Sequence, residues 1–120
     1  MLITNDIWLG TGHLPDITVA KPIFRHGTLV AFSASTAHAP DIGGKIRSPE
    51  PREVFEEGLQ IPPLKLMRAG EADETLVAIL RKNVRTPEQT MGDLWAQVVA
   101  LDLMEERLHI LMEHAGLDDL

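Results

Sequence analysis

The stretch that decides the fold reads ITVAKPIF at 17–24, RHG at 25–27 and TLVAFSAS at 28–35. Two segments rich in β-branched and apolar residues flank a short connection whose Gly27 suits a tight turn, which predicts a β-hairpin. Pro22 has no N–H to give to a ladder, so the first strand is expected to be an edge, or irregular, at that point. Upstream, Met1-Leu2-Ile3-Thr4 starts directly in strand-like sequence.

Downstream of the hairpin the signals change. Gly43, Gly44, Pro49 and Pro51 mark a loop over 41–52. A short helix is expected at about 51–57, ending at Gly58, after which Pro62-Pro63 enforces extended backbone. Residues 73–82 read as a helix with Leu76, Ile79 and Leu80 on one face. The strongest helix signal covers 87–115. Thr86 stands as N-cap, Pro87 at the first helical position, Gln89 as the capping-box partner, and Gly116 where a C-terminal cap belongs. Met91, Leu94, Trp95, Val98, Leu101, Leu108, Leu111 and Met112 recur at three- and four-residue steps.

At 1.5 Å per residue that helix is about 43 Å long, more than a compact chain of this size covers by itself. Part of its apolar stripe is therefore expected to meet another chain, or a further part of a longer polypeptide. Both ends read as cut, with Leu117-Asp118-Asp119-Leu120 following directly on the helix. The fold class is α+β: hairpins in a small, mainly antiparallel sheet, then helices, the last of them long. We read 1–120 as a single fragment, β-rich and site-bearing over 1–48 and mainly helical over 49–120.

Composition narrows the function. Aromatics are 4% of the chain with no Tyr, so Leu, Val, Ile and Met must supply the core. There is no cysteine, which excludes disulfides and thiolate metal sites and fits a cytoplasmic location. The net charge is −7, and the last twenty residues set Asp102, Glu105, Glu106, Glu113, Asp118 and Asp119 against Arg107 alone. With no basic stripe, a nucleic-acid partner is argued against. The apolar runs are too short for a bilayer and no basic n-region precedes one, so no membrane partner is expected.

Two segments nearly repeat each other: His13-Leu14-Pro15-Asp16-Ile17 and His38-Ala39-Pro40-Asp41-Ile42. Each puts an imidazole three residues before a carboxylate, with proline fixing the backbone just ahead of the acid. With the turn at His26-Gly27, opposed residues have numbers summing to about 53, so Asp16 faces Ala37 and His38 faces Pro15. Both segments then emerge at the open end of one hairpin. Two imidazoles and two carboxylates there suit a divalent metal of manganese, zinc or iron type. His13, Asp16 and His38 are the expected ligands, and Asp41 is either a fourth ligand or the acceptor that orients an imidazole. Taken singly, each of the four is more economically a loop or turn residue; the pairing across the hairpin is what favours chemistry.

Other positions carry weaker signals. Asn5-Asp6 with Gly10 and Gly12 suits a polar substrate loop or a plain turn. Gly43-Gly44 suits an anion nest or simple backbone permissiveness. Glu56-Glu57-Gly58 offers carboxylates for acid–base work, and Asn83 and Arg85 precede a helix start, where capping is the ordinary explanation. His109 and His114 read as surface residues, and Met91, Met104 and Met112 as packing.

The same residues carry a family resemblance. Asn5-Asp6, Gly10, Gly12 and His13-Leu14-Pro15-Asp16 are followed in order by His38, Asp41-Ile42-Gly43-Gly44 and Glu57-Gly58. Asn83-Val84-Arg85-Thr86-Pro87, Gly92-Asp93-Leu94 and Ala96-Gln97 complete the set. This ordered series resembles the hydantoinase B family, which includes the B subunit of N-methylhydantoinase, the C-terminal half of 5-oxoprolinase and the large subunit of acetone carboxylase. The resemblance implies a division of labour. An A-type ATPase partner uses ATP to phosphorylate a small cyclic amide, and the B-type subunit, within a homo-oligomer, hydrolyses the activated substrate with a metal-bound water.

It implies His13, Asp16 and His38 as ligands of the kind that hold manganese in the carboxylase branch, and Asp41 or Glu57 as carriers of the proton. The alternatives it leaves are ketone carboxylation and a non-catalytic assembly module that docks through the long helix. Ala39 stands where many relatives have a second histidine, and Lys45 to Arg52 departs from the segment common in oxoprolinases. The isolated fragment is expected to be inactive, since the ATPase is absent from it.

Overall fold

The computed structural model of the chain describes residues 1–10, 12–45 and 48–119. Strands β1 (Leu2–Thr4), β2 (Asp16–Arg25) and β3 (Thr28–His38) are followed by a 3₁₀ turn at Val54–Glu56. Short strands β4 (Leu64–Lys65), β5 (Met67–Arg68) and β6 (Glu71–Ala72) precede helices α1 (Glu74–Asn83) and α2 (Pro87–Ala115). The main sheet is antiparallel with order β3-β2-β1-β4, and β5 pairs β6 in a second small hairpin. The architecture is the α+β arrangement expected from the sequence, closed by the long C-terminal helix.

The β2–β3 hairpin turns on His26 and Gly27, both with positive φ (50° and 83°), the two-residue geometry whose twist matches the strands. Its register is one residue off the simple count. Arg25 faces Thr28 and Phe24 faces Leu29, but Ile23 faces Ala31, so Val30 is an extra residue in β3. Beyond this bulge every pair is displaced by one, and Asp16 comes to lie directly across from His38. Pro22 is accommodated because β1 pairs only with Thr18–Ala20. The strand is interior over those three residues and has a free edge at the proline.

Alternate residues of β2 point inward: Ile17, Val19 and Ile23 are buried. They join Ile3, Leu14, Leu66, Leu76, Leu80, Met91, Leu94, Val98 and Leu101 around one core, except that Ile23 lies apart from that cluster, nearer the turn. Each such side chain contributes about 1.5–3 kcal/mol on burial. Asn5 is only 2% exposed. Its Nδ2 donates to Leu14 O and Leu59 O, both at 2.8 Å, and its Oδ1 accepts from Ile61 N at 2.6 Å. The residue therefore fastens the loop that carries His13 to the extended segment after Gly58. A buried carbonyl deprived of such a donor costs about 1–3 kcal/mol. The plain structural reading of Asn5 is the one the geometry supports.

α1 starts from Asp73, whose Oδ1 accepts from Leu76 N at 2.9 Å. The capping box expected at Thr86 does not form: the Thr86 side chain makes no cap hydrogen bond. The chain enters α2 directly from α1, and the junction is gripped instead through Arg85 by Asp41. At the other end Gly116 adopts the left-handed cap, with φ 65° and Leu117 N donating to Met112 O.

α2 lies along the hairpin, its N-terminal part at the open end. Gln97 Nε2 donates to Ile17 O (3.0 Å) and Ser35 O (3.1 Å), and His109 Nε2 donates to Phe24 O (3.1 Å) near the turn. Between them Lys21 bonds Asp102 and Glu105. Burial opposes the Lys21 charge, but these two carboxylates outweigh it and hold the ammonium above its ordinary pKa of 10.5. Met91, Leu94, Val98, Leu101 and Met112 of the apolar stripe are buried, with the hairpin and α1 packed against α2, whereas Leu111 remains 60% exposed. The molecule measures 54 × 26 × 19 Å with a radius of gyration of 16.2 Å. A compact domain of this length has a radius of about 14 Å, and the long hairpin with the 29-residue helix laid along it gives the molecule its elongated shape.

Candidate metal centre

The open end of the hairpin brings three of the expected side chains together. His13 sits in the loop before β2, anchored by the buried Leu14 that follows it. Asp16 opens β2 and His38 closes β3, in direct register. Ala39 N bonds Pro15 O at 2.7 Å and extends the ladder one step further. Asp16 Oδ2 lies 2.8 Å from His13 Nε2, and Oδ1 lies 3.1 Å from His38 Nδ1. The imidazole centroids are 5.4 Å apart.

One ligand atom from each of the three residues falls within 4.8 Å of the others, the only such His/Asp/Glu group among the described residues. Two imidazole nitrogens and a carboxylate oxygen form the donor set that holds a divalent ion with open positions left over. The side chains of His13 and His38 are 50% and 41% exposed, so the open side faces solvent. That side opens on a cavity of about 310 Å³, lined by His13, Pro15 and His38 from the hairpin and by Lys45, Ser48, Pro49, Pro51 and Glu57 from the following loop. Glu57 thus reaches the same cavity as the two histidines.

Asp41 is not a fourth member of the cluster. Its Oδ1 accepts from Arg85 Nη1 (2.8 Å) and Gly43 N (3.0 Å), and its Oδ2 from Arg85 N. Arg85 Nη2 also donates to Gly44 O at 2.6 Å. The two His-x-Pro-Asp segments are alike in sequence and unlike in role. Asp16 is held in the ladder, whereas Asp41 follows its end and turns into the α1–α2 junction. Burial alone would raise the Asp41 carboxyl, but the N–H groups of Arg85 and Gly43 and the Arg85 guanidinium outweigh it and keep the pKa below 3.8.

Stability from a depressed carboxyl is fully present above the unfolded value and is lost as pH falls through the folded one. Asp41→Asn is therefore expected to cost about 2 kcal/mol near neutrality. The gap to wild type should narrow progressively as pH falls below 3.8, which urea denaturation over a pH series downward from 7 would check.

The glycines beside Asp41 have a packing reason. A Cβ on Gly43 would lie 2.7 Å from Asn83 O, one on Gly44 2.4 Å from the Glu57 carbonyl carbon, and one on Gly58 2.6 Å from Ile42 O. Backbone lies on backbone here, and Gly43 N already serves Asp41, so this pair is not an anion nest. Lys45 N to Glu56 O and Leu59 N to Ile42 O, both 2.8 Å, complete the clamp that sets Glu57 at the cavity.

The expected ligands His13 and His38 and the expected acid Glu57 thus line one cavity, Asp16 stands behind the two imidazoles, and Asp41 is not among the lining residues. Residue-by-residue reading gave no signal for Lys45 and Ser48 as lining residues, and it took Arg85 for a helix-start residue.

Comparison with known proteins places this fold in the hydantoinase B/oxoprolinase class. The family model of that description matches residues 1–120, and the chain belongs to that family. It is 39% identical to an uncharacterised protein of Methanocaldococcus jannaschii over 97% of this chain and 21% of that one. It is similar to the crystal structure of ATP-dependent caprolactamase from Pseudomonas jessenii, with a TM-score of 0.89 and 34% identity over 98% of this chain and 21% of that one. It is also 34% identical to 5-oxoprolinase of Dictyostelium discoideum, over 98% of this chain and 10% of that one. The chain spans about a fifth of the length of the first two relatives and a tenth of the third. No helix among the described residues is long and apolar enough to cross a membrane.

Proposed function

We propose that this chain is the metal-bearing part of a B-type subunit that hydrolyses an ATP-activated cyclic amide. The observation that carries the reading is the convergence of His13, Asp16 and His38, with both histidines lining one cavity. Similarity to a caprolactamase and a 5-oxoprolinase, both named for lactams, supports the substrate class.

His13, Asp16 and His38 would hold a manganese, zinc or iron ion, which would supply Lewis acidity at the cavity. The chain's own residues do the rest. Asp16 stands between the two imidazoles and fixes their orientation. Pro15, Pro49 and Pro51 are rigid cavity walls that restrict how a ring enters. Glu57, half-buried at the cavity, takes the proton lost by water and returns it to the amide nitrogen. Asp41 acts at one remove by holding the loop that carries Lys45. ATP is used by an A-type ATPase partner, and a cytoplasmic location and self-association of this subunit into a homo-oligomer belong to the same reading.

The test is elemental analysis of the purified chain after reconstitution with manganese, zinc or iron and desalting. About one ion per chain is expected for a three-ligand site. A chain that retains none of the three ions overturns the reading.

A further inference from the structure

Of the described residues lining the cavity, Lys45 carries the fixed positive charge, and Ser48 stands beside it in the same wall. Among the described residues the Lys45 ammonium makes two loose ion pairs, with Glu56 Oε2 at 3.7 Å and Glu50 Oε2 at 3.9 Å, both beyond hydrogen-bond distance, and the side chain is 55% exposed. Its backbone is fixed all the same, because Lys45 N bonds Glu56 O. The Ser48 hydroxyl accepts from Glu50 N at 3.1 Å, which leaves its own proton to donate. An ammonium and a hydroxyl donor therefore line the same cavity as the two imidazoles of the hairpin wall and the Glu57 carboxylate of their own loop. Against the net charge of −7 on the whole chain, this local pair of donors is what suits an anionic oxygen group.

We infer that Lys45 and Ser48 form an oxyanion subsite that binds one end of the substrate while its reacting carbon lies against His13 and His38. The inference rests on the reading of the His/Asp cluster as the reaction centre and adds the chemistry of the ligand. The ligand is an amide carrying a phosphoryl or carboxylate group, not a neutral lactam held by apolar contact alone. The rigid backbone at Lys45 and the loose hold of Glu50 and Glu56 let the ammonium turn to the ligand without disturbing the clamp at Gly44.

The experiment is a titration of the metal-free, isotopically labelled chain with inorganic phosphate and, separately, with acetate, followed by NMR. Phosphate is expected to shift the Lys45 and Ser48 signals saturably, Lys45→Ala to weaken binding about tenfold, and Lys45→Arg to restore most of it. Tighter phosphate than acetate assigns the subsite to a phosphoryl group; the reverse order assigns it to a substrate carboxylate, and either supports the subsite. Equal affinity in wild type and Lys45→Ala overturns it. Metal content, measured separately, tells the two failures apart. A chain that holds metal but shows no Lys45-dependent anion binding loses only the subsite. One with Lys45-dependent binding and no metal loses only the cluster.

Discussion

Replacing His38 by alanine is expected to weaken manganese or zinc binding by at least about a hundredfold while leaving the fold in place. Removing a partner that merely orients a ligand already costs 10–100-fold in metal affinity, roughly, so loss of a ligand atom must cost more. The fold should survive because the imidazole is 41% exposed and ends a strand instead of filling the core. Asp41→Asn is the informative comparison, since it carries the same His-x-Pro-Asp signature. Both Asp41 oxygens are committed to Arg85 and Gly43, so its loss should change stability and leave metal affinity within about threefold. Competition against a chelator of known affinity would measure all three proteins. Equal affinities for wild type and His38→Ala would remove the cluster from consideration as a metal centre.

Gly44→Ala should be the most damaging single methyl group in the chain. Gly44 has φ 54°, and a Cβ there would stand 2.4–2.5 Å from Glu57 C, Glu57 O and Gly58 N. Those atoms are backbone, clamped by Lys45 N to Glu56 O and by Arg85 to Gly44 O, so no flexible side-chain end can give way. A loss of about 3 kcal/mol or more is expected from the clash together with the left-handed backbone. Gly12→Ala isolates the second contribution: its φ is 87°, but among the described residues nothing lies within 4 Å of the added atom. It should cost only about 1 kcal/mol. Thermal or urea unfolding of the two variants would decide. Similar losses at both positions would mean that the Gly44 turn does not pack on Glu57 as described.

The hairpin was legible because its evidence is local: β-branched runs on either side and Gly27 between them. Its register was legible only to within one residue. The bulge at Val30 has no glycine or proline to announce it, yet it places Asp16 across from His38 instead of Ala37. The metal-site expectation tolerated that error because both histidines and Asp16 lie at the open end in either register. Helix α2 was read to its last residue, from its apolar steps and its terminal glycine. The capping box at Thr86 was read and is absent. That motif predicts what a free helix start would do, and this start is held from outside. The strands β4, β5 and β6 are two residues each, too short to show a period, and β4 exists because Leu2 and Ile3 pair with it.

The sequence by itself determined the α+β class, the hairpin, the long helix and the meeting of His13, Asp16 and His38, all of which follow from periodicity and one turn. Only the tertiary structure decided that Asp41 serves Arg85, that Asn5 and Gln97 fasten loops to the core, and that the hairpin packs along the long helix. Those contacts join residues 44 or more positions apart, except for the Asn5 bond to Leu14. A polar side chain's partner across such a distance leaves no repeat in the sequence. It is chosen by which buried donor or acceptor the packing leaves within reach.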